Sequence, residues 1–155
     1  MSDVHVLVSP DAGRGKAAGT SADVLDRLRA SGAHVIDLTG ADADTSTRNA
    51  RDAVAAGSER LVVLGGDGMV HLAVQAVAGT DTVLGVVPVG TGNDFARALP
   101  GISEDPLEAA ATALGDPRPI DGIRVGDRCG EADTTAPRRD LHEARKSQRQ
   151  KRAAL

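Results

Sequence analysis

Arg60-Leu-Val-Val-Leu-Gly-Gly-Asp-Gly68 is the strongest structural signal in this chain. Leu61 to Leu64 is continuously apolar, short enough for a strand and halted at once by two glycines. A strand without a polar face is buried on both sides, as in a parallel sheet covered by helices. Beyond the glycines, Val70, Ala73, Val74 and Val77 recur at helical spacing, so the segment predicts strand, tight turn and helix.

The same alternation continues to either side. Val4 to Val8 reads as a buried strand ended by Ser-Pro-Asp-Ala-Gly, and a helix is expected over 16–30, with Val24, Leu25 and Leu28 on one face and Gly32 just past its end. Ala33 to Leu38 is a second strand, and a helix runs from Asp44 through Thr45 to Ala56, before Gly57. Thr82 to Val87 is a fourth strand, stopped by Pro88. A short helix over 107–114 is opened by Asp105-Pro106 and closed by Gly115, and Ile120 to Val125 reads as a last strand. Strands and helices alternating through short connections predict an α/β fold: a mostly parallel sheet with helices on both faces.

Composition narrows the function classes. The 155 residues suffice for one domain with a real core. Phe95 is the only aromatic residue, so the core is aliphatic and a base-stacking nucleic-acid surface is excluded. The net charge of −4 is unevenly spread: residues 1–128 hold 11 basic and 18 acidic side chains, and residues 129–155 hold 7 and 4. An acidic body over 1–126 and a polar, basic tail over 127–155, disordered or a solvated helix, are expected. A lone Cys129 gives no intrachain disulfide and fits a reducing compartment. The four histidines lack zinc-ligand spacing. No signal-peptide pattern and no apolar run of membrane-span length occur, so the expected location is cytoplasmic or peripheral at a membrane surface.

Three glycine-rich turns each follow a predicted strand: Ser9-Pro-Asp-Ala-Gly-Arg-Gly-Lys16, Gly65-Gly-Asp-Gly68 and Pro88-Val-Gly-Thr-Gly-Asn-Asp94. In a parallel sheet such turns share the carboxyl-terminal edge, where α/β proteins bind ligands. The glycines of 65–68 would permit positive φ and let a phosphate approach the amides, and the following helix adds its amino-terminal partial charge. Asp67 admits three readings: a Mg²⁺ ligand beside the phosphates, an acceptor for a hydroxyl, or a cap on the next helix. In the third turn, Thr91 and Asn93 offer a hydroxyl and an amide, or Asn93 or Asp94 caps a helix. The first turn fits neither the GxGxxG dinucleotide pattern nor a Walker loop, since Gly19 comes one residue late and position 10 is Pro.

Taken together, the strings SPDAGRGK, VVLGGDGMV and GVVPVGTGNDFARAL resemble the catalytic domain of the diacylglycerol kinase family, which includes sphingosine-type lipid kinases and is distantly related to NAD kinases. The resemblance runs from about Val4 to Val125 and implies the Rossmann-like N-terminal domain of that fold. It implies an ATP-dependent lipid kinase domain that binds ATP with Mg²⁺ and passes the γ-phosphate to a lipid hydroxyl such as that of diacylglycerol. By that resemblance Gly65, Gly66, Asp67 and Gly68 line the ATP phosphates, with Asp67 the metal ligand. Thr91, Gly92, Asn93 and Asp94 form a second nucleotide-side motif, and Ser9, Gly13 and Lys16 fall in the first.

Four departures qualify the match. Ser9 stands where the family has Asn, Met69 where it has Thr, and Leu72 where it has Glu. No Asp-Gly-Glu string occurs, whereas the family draws its acceptor-activating carboxylate from such a motif in a second, mostly β domain. The expectation is therefore a truncated chain lacking that domain, with doubtful activity alone and no catalytic residue to name. Two alternatives stand beside the lipid kinase: a NAD-kinase-like phosphotransferase, which shares GGDG, and a non-catalytic nucleotide-binding module.

Overall fold

The fold is described from a computed structural model, which covers residues 3–9, 16–120, 122–125 and 128–131. The chain divides into two compact units, the first ending at Pro117 and the second beginning at Arg118.

The first unit is a parallel sheet of β1 (Asp3–Val8), β2 (His34–Asp37), β3 (Arg60–Gly65) and β4 (Val83–Pro88), in the order β2-β1-β3-β4. Each neighbouring pair is parallel, with Val6 opposite Val62 and Leu64 opposite Val87. The helices are α1 (Lys16–Ala30), α2 (Ala43–Ala55), α3 (Asp67–Val77), α4 (Asp94–Ala98) and α5 (Pro106–Ala113). The fold class read from the sequence is the one observed.

Alternation along each strand assigns the layers. Val4, Val6, Val62, Leu64 and Val87 point to one face and meet Val24 and Leu28 of α1 and Ala109, Ala110 and Ala113 of α5. Leu7, Leu61, Val63 and Val86 point to the other and meet Ala50 of α2 with Val70, Ala73 and Ala76 of α3. Both clusters are aliphatic, and the helices contribute mainly alanine, so they lie close on the sheet. At Gly85 a Cβ would stand 2.8 Å from the Ala113 Cβ and 3.1 Å from its carbonyl oxygen, so β4 and α5 meet at backbone distance.

Local chemistry sets the helix ends. Asp42 caps α2 by accepting the Thr45 N–H at 2.7 Å, and Asp105 caps α5 by accepting the N–H groups of Leu107 and Glu108. Gly32 and Gly57, each just past a helix, take φ of 86° and 92°, the left-handed turn that stops a helix.

The strand order reverses direction at β1. From β1 the chain places β2 on one side, then crosses to lay β3 and β4 on the other. Such a switch point opens a crevice at the carboxyl ends of the two central strands, here at Ser9 after β1 and Gly66 after β3.

The second unit differs from the sequence expectation. Gly122–Val125 (β5) forms no part of the parallel sheet but pairs antiparallel with Arg128–Glu131 (β6). A strand thus occurs at the start of the segment read as a polar tail, and 132–155 lie outside the described residues. Among the described residues no helix is long and apolar enough to cross a membrane.

Candidate functional site

The site grows from the carboxyl ends of β1, β3 and β4, which backbone bonds tie together. The Ser9 N–H donates to the Leu64 carbonyl at 2.8 Å, and the Val89 N–H to the Gly65 carbonyl at 3.2 Å. Gly65 has no room for a side chain, since a Cβ there would lie 2.7 Å from the Met69 Cβ and 3.3 Å from that of Ser9. Chain exit, turn and helix start are thereby compressed into a few ångströms.

Gly66 is the N-cap of α3, with no side-chain cap. The helix therefore opens toward the crevice with its amide end free of a capping side chain, and that end carries the positive partial charge of the helix. The positive φ expected of the glycines needs correction. Gly66 has φ −92°, and none of Gly65, Gly66, Gly68, Gly90 or Gly92 takes positive φ. Close approach is what requires Gly65 and Gly90: a Cβ on Gly90 would stand 2.6 Å from the Gly66 Cα and 3.0 Å from its nitrogen, whereas one on Gly68 would meet nothing within 4 Å. The two turns touch backbone to backbone.

Asn93 shapes the second turn. It sits in the left-handed region (φ 56°, ψ 36°), which Asn tolerates better than most residues, at the N-cap of α4. Its side chain does not cap that helix. Its Oδ1 accepts the Gly90 N–H at 3.1 Å and its Nδ2 donates to the Gly90 carbonyl at 2.8 Å, closing the turn like a strand pair.

Helix α4 is capped from the other turn. Asp67 Oδ2 accepts the Asp94 N–H at 3.1 Å, and Oδ1 accepts the Phe95 N–H at 2.9 Å. Of the three sequence readings of Asp67, capping describes these contacts, but the helix capped is α4 and not the α3 that Asp67 opens. Here two N–H groups and the α4 dipole answer its charge.

As to a metal, each Asp67 oxygen keeps a second lone pair, and Mg²⁺ needs only one or two carboxylates besides phosphate oxygens and water. The single carboxylate fits that modest demand. Among the described residues no group of three His, Cys, Asp or Glu side chains is clustered as a metal cage.

The remaining candidates fall into place around these turns. Thr91 and Gly92 lie exposed at the tip, and Asp94 is exposed with its carboxylate 3.6 Å from Arg97. Arg97 also reaches Glu104 at 3.4 Å, as surface pairing. Phe95 anchors the turn by packing against the cluster of Leu61, Val63, Val70 and Val86, together with Met69 and Leu72. Gly13 and the side chain of Lys16 lie outside the described residues. The sequence pointed to close approach at Gly90 but not to the Gly66 backbone as its partner, and it gave no signal for the Phe95 amide, since a backbone N–H has no letter in the sequence.

Two glycine turns locked together at the switch point of a parallel sheet define an α/β domain with a candidate site at its carboxyl-terminal edge. The chain belongs to the diacylglycerol kinase catalytic domain family, whose profile matches residues 3–125. Diacylglycerol kinase of Mycobacterium tuberculosis is 38% identical over 131 residues, covering 84% of this chain and 42% of that protein. Diacylglycerol kinase of Bacillus subtilis (strain 168) is 36% identical over 124 residues, covering 78% and 41%. A probable lipid kinase, YegS-like, of Chromohalobacter salexigens is 36% identical over 110 residues, covering 68% and 35%. Among solved structures, a diacylglycerol kinase-type protein of Bacillus anthracis str. Sterne superposes with a TM-score of 0.68 at 25% identity, over 83% of this chain and 44% of that one. The chain spans less than half the length of these relatives.

Proposed function

We propose that this domain binds ATP with Mg²⁺ at the crevice between β1 and β3 and serves as the nucleotide-holding part of a lipid kinase. The observation that carries the reading is the contact between Gly66 and Gly90, which joins the two family motifs into one surface at the switch point. The α3 amide end and the exposed amides of the second turn suit a triphosphate, with Thr91 offering a hydroxyl. Ser9, Gly13 and Lys16 would border the same crevice from the β1 side, and Asp94 the outer rim. A bound Mg²⁺ would neutralise phosphate charge during transfer, and Asp67 is the carboxylate available to it.

The acceptor we propose is a lipid hydroxyl such as that of diacylglycerol, since the relatives bear that name. A second reading is a nucleotide-binding module without transfer, favoured by Met69 and Leu72 standing where the family has Thr and Glu. Positioning of both reactants contributes roughly 7–11 kcal/mol to such reactions, and a domain gripping one reactant forgoes most of it.

The test is phosphotransfer from labelled ATP to diacylglycerol in mixed micelles, with NAD as a competing acceptor. Slow transfer to the lipid and none to NAD is expected. Preferential labelling of NAD would replace the lipid reading with a NAD-kinase-like one.

A further inference from the structure

We propose that Asp67 is a positioning residue: by accepting the N–H groups of Asp94 and Phe95 it builds α4 and fixes the 90–93 turn against the 65–68 turn, with or without a metal. The functional consequence rests on the nucleotide reading above; the clamp itself does not.

Helix α4 has only five residues. A helix that short has no stability of its own, because nucleation costs more than so few bonds return. Its first amides have no intrahelical partner, and its N-cap residue cannot supply one, since the Asn93 amide is committed to Gly90. Asp67 fills that need from 27 and 28 residues away in sequence. Both oxygens are used, one per amide, and the carboxylate faces the positive end of the α4 dipole. Space confirms the closeness, for a Cβ on Gly92 would come within 3.1 Å of Asp67 Oδ2. The clamp is specific to a short carboxylate. Asparagine would accept one N–H but turn its own NH₂ toward the other. Glutamate would keep the charge and a metal-binding oxygen, yet its extra methylene would carry both oxygens past the amides.

A Mg²⁺ ligand and a clamp make different predictions. A residue that acts only on the metal matters only when metal is present. A clamp governs the turn in the free protein.

The experiment is amide hydrogen exchange by NMR on the full chain without nucleotide, comparing the parent with Asp67→Asn and Asp67→Glu. Exchange at Asp94 and Phe95 should speed by about tenfold or more in both variants, with Gly90 and Asn93 following, while Leu61 to Leu64 keep their protection. ATP titrations without Mg²⁺ should show a loss of affinity in both variants. Unchanged exchange at Asp94 and Phe95 in a folded variant overturns the proposal. So does a loss of ATP affinity confined to Mg²⁺-containing buffer, which would leave Asp67 a metal ligand alone. Should Asp67→Asn lose protection throughout the sheet, Asp67→Glu supplies the comparison. A parent chain that binds no ATP would defeat the nucleotide reading, yet the exchange rates would still decide the clamp.

Discussion

Gly66 and Gly90 stand so close that a side chain on the second would begin 2.6 Å from the Cα of the first, whereas a Cβ on Gly66 would find the Gly90 Cα at an ordinary 3.5 Å. The contact is unequal in what it tolerates, because the two missing Cβ atoms point differently.

Gly90→Ala should therefore push the turns apart, costing about 1–3 kcal/mol as overpacking against backbone. Gly66→Ala should be far milder, since φ is −92° and no strain from a left-handed backbone arises. Thermal melts of the two variants check this. Equal losses would mean that the turns do not touch as described.

Asn93 is predicted to be irreplaceable by its closest relative in shape. Asp at 93 would lose the donor that meets the Gly90 carbonyl and would set a carboxylate against that oxygen, for a loss of about 1–2 kcal/mol. Asn93→Gly keeps the left-handed backbone but loses both side-chain bonds, so it should loosen the turn while leaving the sheet intact. Denaturant melts for stability and exchange at Gly90 for order distinguish the two.

Away from the site, Gly85→Val should be among the most damaging single changes. A side chain there would drive into Ala113 and the Val62 Cγ2, each within 3.1 Å of its first carbon. The expected outcome is a loss of several kcal/mol or failure to accumulate as folded protein, read from a denaturant melt.

Asp42 gives a pH dependence whose sign is set by its cap. The Thr45 N–H, and after it the Thr45 hydroxyl, hold the Asp42 carboxyl below its ordinary value. A carboxyl depressed on folding adds stability above its unfolded pKa of about 3.9, and that contribution is lost as pH falls through the lower folded value. Asp42→Asn should thus be less stable than the parent at neutral pH, and the gap should close below about pH 4. A gap that persists at acid pH would show that charge is not its source.

Much of this architecture is legible in the sequence. The bounds of α1 were read in full, and the strands of the parallel sheet to within a residue or so, because β-type runs such as Leu61 to Leu64 end abruptly at Gly or Pro. Helix α4 was legible only as a possible cap at Asn93 or Asp94, since five residues carry no helical period and its stabilising partner, Asp67, lies far upstream. The sheet to which β5 belongs was also hidden: Ile123 and Val125, alternating about Arg124, point to a strand, and its partner depends on β6, a strand rich in polar residues. In the site, the residue types were visible while their pairing was not. Asn93 was read as offering its amide at the binding edge or as capping a helix; it stands at the N-cap of α4, but its side chain turns back on Gly90. The glycines were read as permitting positive φ and close approach; none of those in the two turns takes positive φ, and the approach that Gly90 makes is to the Gly66 backbone.

The central claim is that two interlocked turns hold a nucleotide. Isothermal calorimetry with ATP, with and without Mg²⁺, on the parent and on Gly90→Ala tests it most directly. The account predicts one ATP per chain, tighter with Mg²⁺, and binding weakened by about tenfold or more in the variant. Undiminished ATP binding by a folded Gly90→Ala protein would contradict it.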